Sequence, residues 1–173
     1  ALGGAEREDS VYNGLMAVSR DMDVVMVHDG ARPFAGPDWY DQGAAMMETA
    51  KAAIYGIPLK DTVKVRGDDG RLHTLNRSRL VAAQTPQIFH RDLLVEAHEH
   101  ARAEGIQATD DASLVEAMGV PVVILEGSEK NRKVTPREDI PILSLYMKGK
   151  EVQRIGTGYA VHRLKEGRRL VLG

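Results

Sequence analysis

The chain has 173 residues, a formal net charge of −2 and no cysteine. This charge balance provides no general basic surface, so nucleic acid is not expected as a bulk partner. Without cysteine there are no disulfides or thiolate metal sites, and the composition is typical of a reducing compartment, so we expect a cytoplasmic protein. No run of about 18 apolar residues occurs, so we expect no membrane segment and no membrane partner.

A helix is predicted near the start of the chain. Apolar residues recur at helical spacing from Val11 to Val18, and Ser10 is a residue type that caps helices, so we expect a helix over about residues 10–20. A hydroxyl and free N–H groups at a helix start can also contact an anion or nucleotide. Ser10 is therefore either a cap or a ligand contact.

The next element is a predicted buried strand, Val24–Val27, which runs into the polar residues Asp29 and Arg32. In open α/β sheets, ligands bind beyond the carboxyl ends of the strands. An acid can hold Mg²⁺ or a hydroxyl group, and an arginine can bind phosphate through two hydrogen bonds. The alternatives are a surface ion pair, or a metal phosphohydrolase pair of His28 and Asp29 for which the sequence supplies no further ligands.

Two further elements follow, a helix from Pro37 to about Lys51 and a buried strand over residues 53–59. Polar and apolar residues then alternate on both sides of a glycine-rich turn, which predicts a β-hairpin over residues 62–75. A lone hairpin is marginally stable in water. We therefore expect this hairpin to pack against a second copy of the chain.

The C-terminal half predicts alternating helices and strands. A helix is expected over residues 91–104 with His98 and His100 facing mostly outward, too close in sequence to form a metal pair on one helix face. Thr109 is predicted to cap the next helix, with a buried strand over 121–127 behind it. A basic loop then ends at Lys133; it is either a phosphate site or solvated surface, and a helix to about Met147 follows it.

Six motifs occur in a fixed order along the chain: GGAEREDSV at 3–11, VHDGARPF at 27–34, PLKDTVK at 58–64, QTPQ at 84–87, TDDAS at 109–113 and NRKVT at 131–135. In order and spacing this set resembles the 2-C-methyl-D-erythritol 4-phosphate cytidylyltransferase family. The resemblance implies an α/β, nucleotidyltransferase-like (Rossmann-like, doubly wound) sheet with a projecting β-hairpin dimer arm. It also implies attack of methylerythritol phosphate on the α-phosphate of CTP with Mg²⁺ present.

The resemblance further implies a set of site residues. Those near CTP would be Gly4, Ser10 and Lys133. Asp29 would hold Mg²⁺ or the substrate. The residues around methylerythritol phosphate would be Arg32, Thr62, Arg77, Thr85 and Thr109, with Thr62 and Arg77 lent to the neighbouring subunit. Of all these, the expected catalytic residues are Lys133, Asp29 and Arg77.

The tail of the chain resembles the opening of 2-C-methyl-D-erythritol 2,4-cyclodiphosphate synthase, so a bifunctional fusion is expected. The predicted division is a cytidylyltransferase domain over 1–147, a linker over 148–153 and the start of the synthase over 154–173. His162 would be a ligand for a divalent metal such as Zn²⁺, but Ala160 stands where that family has aspartate. Because such sites need three protein ligands, we expect this one to be incomplete.

The family's N-terminal strand and glycine-rich loop have no counterpart in the chain, and both ends look internal to a longer polypeptide. We therefore expect a fragment that makes no cytidine diphosphate methylerythritol unless the missing segment is restored. Ala5 also stands where the family commonly has an acid. The alternative hypothesis is a non-catalytic substrate-binding or dimerisation fragment of the same enzyme.

Overall fold

A computed structural model describes residues 1–134, which form a four-stranded mixed sheet flanked by helices and a separate two-stranded hairpin. The elements, in chain order, are α1 (Arg7–Ala17), β1 (Val24–Val27), α2 (Pro37–Met46), β2 (Ala52–Pro58), β3 (Lys64–Arg66), β4 (Leu72–Thr74), a short 3₁₀ helix (Arg77–Arg79), β5 (Val81–His90), α3 (Arg91–Glu104), α4 (Asp111–Ala117) and β6 (Val123–Glu126). The predicted helix to Met147, the linker over 148–153 and the segment 154–173 with Ala160 and His162 lie outside the described residues.

The main sheet has the strand order β1-β5-β2-β6. Strand β5 is antiparallel to β1 and to β2, whereas β2 and β6 are parallel. Strands β1, β2 and β6 therefore point in the same direction and their carboxyl ends share one edge. This is the edge at which the sequence places polar residues, and where ligands bind in α/β sheets of this kind.

Alternate residues of the central strands face two separate cores, as the pleat of a sheet requires. Ile54 and Phe89 pack with the helices α1, α3 and α4 on one face. Tyr55 and Ile88 pack on the other face, where the ring of Trp39 from α2 stacks on Tyr55 at a centroid distance of 4.1 Å. The sheet is thus covered by helices on both sides. None of the described helices is long and apolar enough to cross a membrane.

Strand β5 was not predicted from the sequence. Proline interrupts the ladder of a strand and is usually confined to edges and bulges, and Pro86 lies in the middle of this one. The structure places it at a bulge: Ile54 pairs with Gln87 and Tyr55 with Gln84, so that Thr85 and Pro86 have no partner on β2. The bulge places Thr85 beside the residues that directly follow β1.

Several predicted boundaries are corrected. Helix α1 begins at Arg7 rather than near Ser10, so Ser10 lies one turn inside it and is not its cap. Asp110, not Thr109, caps α4 by accepting a hydrogen bond from the backbone N–H of Ser113. Helix α2 ends at Met46.

The predicted hairpin is confirmed. Strands β3 and β4 pair antiparallel and form a sheet of their own, and every residue in them is exposed. Among those exposed residues are the apolar Val65 and Leu72, and Leu75 follows them. The hairpin therefore leaves the main sheet and carries apolar side chains on its surface.

Candidate active site

One carboxylate oxygen of Asp29 lies between two cations. Its Oδ2 atom is 3.3 Å from Nε of Arg32 and 3.3 Å from Nζ of Lys133. The Arg32 side chain is only 13% exposed and that of Asp29 20%, so this is not the surface ion pair that the sequence left as an alternative. Two cations against one carboxylate leave a net positive charge here, which favours an anionic ligand.

Lys133 reaches Asp29 through a loop that crosses the end of the sheet. We call residues 127–134 the crossing loop. Starting at the end of β6, it bonds in turn to β2 through Gly127 N–H and the Gly56 carbonyl (2.9 Å), and to β5 through Asn131. It then reaches the loop after β1, where the Val134 N–H donates to the Ala31 carbonyl at 2.8 Å.

Gln84 fastens the start of the crossing loop. Its side-chain amide donates to the Ser128 carbonyl at 2.9 Å and its carbonyl accepts from the Ser128 N–H at 3.1 Å. Gly127 leaves the room this requires, because an added Cβ would lie 2.5 Å from Oε1 of Gln84 and 2.9 Å from the Gly56 carbonyl oxygen. The start of the loop is therefore held by side chain and backbone together.

Asn131 joins the crossing loop to the residues around Asp29, a role that was not predicted from the sequence. The residue is fully buried, its Nδ2 donates to the Thr85 carbonyl at 2.8 Å, and its own carbonyl accepts from Nη1 of Arg32 at 2.8 Å. Its Oδ1 atom has no hydrogen-bond partner in the described residues. The side-chain amide thus supplies the donor to Thr85, while the acceptor for Arg32 is the backbone carbonyl.

Thr85 and His28 complete the cluster. Oγ1 of Thr85 lies 3.0 Å from the backbone nitrogen of Asp29 and 2.9 Å from Nδ1 of His28. Nε2 of His28 lies 3.0 Å from the Arg32 carbonyl oxygen. Burial lowers the pKa of His28, although contacts with the Arg32 carbonyl and the Asp29 charge act in the opposite direction. The imidazole is therefore neutral near pH 7.

Thr109 lies beside a second group of bonds that fixes the start of α4. Nε2 of Gln87 donates to Oδ2 of Asp110 at 2.7 Å, and Oε1 of Gln87 accepts from the Ala112 N–H at 3.2 Å. Thr109, next to Asp110, is exposed. Since Gln87 is two residues from Thr85 on β5, this strand connects the Thr109 region to the Asp29 cluster.

Gly4 and Ser10 bond to each other at the start of α1. The Gly4 N–H donates to Oγ of Ser10 at 2.9 Å, and that hydroxyl donates to the Glu6 carbonyl at 3.1 Å. An added Cβ at Gly4 would lie 2.1 Å from Cβ of Asp9, so this turn requires glycine. The Ser10 hydroxyl thus holds the turn at Gly4 against the first turn of α1.

Asp111 holds three helices together. It is fully buried, and its two oxygens lie 2.7 Å from Nη2 of Arg7 in α1 and 3.1 Å from Nε2 of His98 in α3. Burial acts to raise the pKa of Asp111, but His98 and Arg7 outweigh it and the pKa is lowered overall. The prediction that His98 faces outward is wrong: it is 2% exposed because its polar ring has this buried acceptor.

Thr62 and Arg77 are both exposed at the base of the hairpin. Nη1 of Arg77 donates to the Lys60 carbonyl, and Nζ of Lys60 pairs with Glu129 at 2.9 Å. Among the hydrogen bonds and ion pairs of residues 1–134, none joins Thr62 or Arg77 to Asp29. Within one chain, these two predicted site residues therefore form no hydrogen bond or ion pair with Asp29.

Metal binding at the Asp29 cluster is limited by the number of ligands there. No group of three or more His, Cys, Asp or Glu in the described part of the chain could hold a metal ion. This removes support for a His28 and Asp29 phosphohydrolase centre, which would need further ligands. Mg²⁺ usually keeps several waters and is held by one or two carboxylates plus substrate phosphates. A single carboxylate beside a basic loop, as at Asp29, fits that arrangement.

A mixed sheet with helices on both faces, a separate hairpin and a carboxylate between two cations at the carboxyl-end edge together define an α/β protein of the nucleotidyltransferase-like class. The family model described as 2-C-methyl-D-erythritol 4-phosphate cytidylyltransferase matches residues 1–149. The chain belongs to this family.

Comparison with individual relatives leads to the same family. The chain is 46% identical over 172 residues to the bifunctional enzyme IspD/IspF of Nitratidesulfovibrio vulgaris strain DP4, a match that covers 99% of this chain and 44% of the relative. It is 47% identical over 152 residues to the 2-C-methyl-D-erythritol 4-phosphate cytidylyltransferase of Pelotomaculum thermopropionicum, covering 86% of this chain and 63% of the relative. The chain thus spans less than two thirds of the length of both.

The fold comparison gives the same result. The crystal structure of 4-diphosphocytidyl-2C-methyl-D-erythritol synthase from Anaerococcus prevotii is similar to this structure with a TM-score of 0.80 and 33% sequence identity. That match covers 85% of this chain and 68% of the other. The α/β fold with its separate hairpin is therefore the fold of solved cytidylyltransferases.

Proposed function

We propose that this chain carries the catalytic residues of a cytidylyl transfer from CTP to 2-C-methyl-D-erythritol 4-phosphate. A phosphate oxygen of methylerythritol phosphate attacks the α-phosphorus of CTP, the bond to the β-phosphate breaks, and pyrophosphate leaves with cytidine diphosphate methylerythritol as the product. The observation that carries the proposal, beside family membership, is the Asp29 carboxylate held between Arg32 and Lys133.

Transfer between two phosphate groups needs positioning and charge neutralisation more than acid or base catalysis. Lys133 provides a mobile point charge, since its side chain is half exposed. Arg32 is held in place by Asp29 and by the Asn131 carbonyl, so its remaining N–H groups have a fixed direction. Asp29 would hold Mg²⁺, which supplies further neutralisation of phosphate charge when bound.

The remaining site residues of the proposal divide between the two substrates. Gly4, Ser10 and Lys133 would lie on the CTP side. On the methylerythritol phosphate side the proposed residues are Arg32, Thr85 and Thr109 from one subunit, with Thr62 and the catalytic Arg77 from its neighbour. The bonds from Gln87 to Asp110 and Ala112 hold the start of α4, next to Thr109, against β5, the strand that carries Thr85.

The second subunit would be a copy of this chain bound through the hairpin 62–75. Every residue of β3 and β4 is exposed, and the exposed apolar Val65, Leu72 and Leu75 need cover. Thr62 and Arg77 lie at the base of the same hairpin and form no hydrogen bond or ion pair with Asp29 of their own chain. A dimer would let them serve the neighbouring site.

The bifunctional relative supports a further proposal for the C-terminal part. Because that match covers 99% of this chain, residues 148–153 would be a linker and 154–173 the start of a cyclodiphosphate synthase domain. His162 would be one ligand of its divalent metal, such as Zn²⁺, at a site that Ala160 leaves incomplete. With water-soluble substrates and no cysteine in the chain, we also propose a cytoplasmic location.

The test compares binding and turnover. Calorimetry measures the affinity of the 173-residue chain for methylerythritol phosphate and for CTP, and release of pyrophosphate measures turnover by the longest polypeptide that the gene encodes. Turnover that requires both substrates is expected. Binding of methylerythritol phosphate without CTP binding or turnover would instead support the substrate-binding or dimerisation fragment. Absence of all three would refute the proposal.

A further inference from the structure

Asn131 lies in the crossing loop two residues before Lys133 and forms three hydrogen bonds there. Its N–H donates to the Ser128 carbonyl at 3.0 Å, which closes a turn in the loop. Its own carbonyl accepts from Nη1 of Arg32 at 2.8 Å, and its side-chain Nδ2 donates to the Thr85 carbonyl at 2.8 Å. One fully buried residue thus bonds to Arg32 and to strand β5, and its backbone leads to Lys133.

The bulge in β5 provides the attachment point for this side chain. Thr85 has no partner residue on β1 or on β2. Buried carbonyls are almost always hydrogen-bonded, and the amide of Asn131 donates to the Thr85 carbonyl from outside the sheet. The irregularity that accommodates Pro86 therefore also gives the crossing loop a place to bond.

The side-chain amide of Asn131 has one favourable orientation. Half a turn would place its Oδ1 against the Thr85 carbonyl oxygen, and two acceptors cannot share a hydrogen bond. In the observed orientation Oδ1 is buried and has no hydrogen-bond partner among residues 1–134. Because a buried unpaired acceptor lowers the stability of a fold, stability alone does not account for an asparagine at this position.

Lys133 depends on the crossing loop more than Arg32 does. Its side chain is 50% exposed, whereas that of Arg32 is 13% exposed. The backbone around Lys133 is attached on one side through Asn131 and on the other through the Val134 N–H, which donates to the Ala31 carbonyl. Since the two cations repel each other, their spacing depends on these attachments.

We propose that Asn131 is a positioning residue for the cytidylyl transfer: its side chain attaches the crossing loop to β5, and this attachment holds Lys133 and Arg32 at one fixed spacing. This inference rests on the proposed function. Cations stabilise transition-state charge best when their positions are set before the reaction. Removal of the Asn131 amide should therefore lower kcat although both cations remain in the chain.

The first test needs no substrate. Nitrogen-15 NMR of the 173-residue chain measures rotation of the Arg32 guanidinium, which its bonds at Nε and Nη1 should make slower than that of Arg66, exposed on β3. In Asn131→Ala the rotation should be faster by roughly threefold or more, the effect of weakening one hydrogen bond. Asn131→Ser also lacks an amide that reaches the Thr85 carbonyl, and it serves if the alanine variant does not fold.

Two results of this measurement would overturn the proposal. One is an unchanged rotation of Arg32 in either folded variant, because the side chain of Asn131 would then have no influence on the cation. The other is a rotation in the unaltered chain as fast as that of Arg66, because Arg32 would then not be held at all.

The second test measures turnover of methylerythritol phosphate and CTP as pyrophosphate release by the longest polypeptide that the gene encodes. Asn131→Ala should lower kcat about 10-fold or more, the effect of a misplaced catalytic group. It should change the KM of either substrate by less than about threefold. Gln42→Ala, which removes an exposed amide on α2, is the matched control and should have no effect. A loss that falls on KM alone would overturn the proposal.

A double-mutant cycle separates positioning from a general effect on folding. If Asn131 acts through Lys133, Asn131→Ala should cost less than about threefold in a chain that already carries Lys133→Gln. The same loss in both backgrounds would overturn the proposal, because independent effects multiply. Absence of turnover by the unaltered polypeptide would refute the proposed function, while the rotation of Arg32 still decides whether Asn131 holds that cation.

Discussion

Asp29 and Lys133 meet at 3.3 Å although the loops that carry them follow opposite edge strands of the four-stranded sheet. Asp29 lies just after β1, and Lys133 is at the far end of the crossing loop that starts from β6. The intervening strands β5 and β2 hold that loop in place through Gln84 and Gly56. The contact between Asp29 and Lys133 therefore depends on the bonds that attach the crossing loop to the strands lying between them.

Replacement of Lys133 tests its proposed part in catalysis. Lys133→Gln should lower turnover about 100-fold or more, the usual effect of losing a group that stabilises transition-state charge. Lys133→Arg should retain more of the turnover because the charge remains. The half-exposed side chain should contribute little to stability, so urea unfolding should shift by under about 0.5 kcal/mol. Equal turnover in the lysine and glutamine forms would contradict the assignment.

Asp111→Asn tests the buried connection of α1, α3 and α4. Removing one partner of a buried charged group typically costs several kcal/mol, and because Arg7 is partly exposed we expect about 3 kcal/mol by urea unfolding. Glu96→Gln, which changes an exposed carboxylate on α3, is the matched control and should have almost no effect. Equal stability of the Asp111 variant and the original chain would show that Asp111 contributes nothing.

The stabilisation that Asp111 provides should also depend on pH. The pKa of Asp111 is lowered in the folded chain, so its stabilising contribution is complete above the ordinary carboxyl pKa of about 4. The contribution disappears as the pH falls through the lowered folded pKa. The difference in unfolding free energy between the original chain and Asp111→Asn should therefore shrink as the pH falls below about 4. A difference that grows on acidification would give the wrong sign.

Two glycine substitutions provide a matched pair. Gly127→Ala forces a Cβ against Gln84 and the Gly56 carbonyl, and should destabilise the chain by about 1–3 kcal/mol. Gly14→Ala lies within α1 with nothing within 4 Å of the new Cβ, and should stabilise by about 0.5–1 kcal/mol. Thermal unfolding measures both. A stabilising Gly127→Ala would mean that the crossing loop is not packed as described.

The proposed dimer is tested on the hairpin surface. Leu72→Lys places a charge at an exposed apolar side chain of β4 and should convert a dimer to monomers in sedimentation velocity. Leu2→Lys is a control at another exposed leucine and should leave the sedimentation coefficient unchanged. A dimer that survives Leu72→Lys would place the interface elsewhere.

Much of the fold could be predicted because its patterns are local. Helix α3 was predicted with its observed ends, Arg91 and Glu104, from the spacing of apolar residues that face the sheet. His98 lies on that same buried stripe, but its acceptor Asp111 is brought to it only by the packing of α4. Strand β5 was missed because a bulge, set by pairing with β2, accommodates Pro86.

The candidate site was predicted only in part for a similar reason. Asp29, Arg32 and Lys133 were indicated as site residues by the ends of predicted strands and by the motifs. The roles of Asn131 and His28 depend on hydrogen bonds between residues far apart in the chain. The pattern of residue types along one sequence does not indicate which distant residues form such pairs.

The crossing loop has a consequence for changes in chain length. It must span three spacings between adjacent strands, about 14 Å in all at 4.8 Å each, and it is pinned at Gly56, Gln84, Thr85 and Ala31 as it goes. Loops on protein surfaces usually tolerate insertions and deletions. Deleting a residue between Ser128 and Asn131 would remove the turn that the Asn131 N–H and the Ser128 carbonyl close at 3.0 Å. We therefore expect such a deletion to displace Lys133 from Asp29.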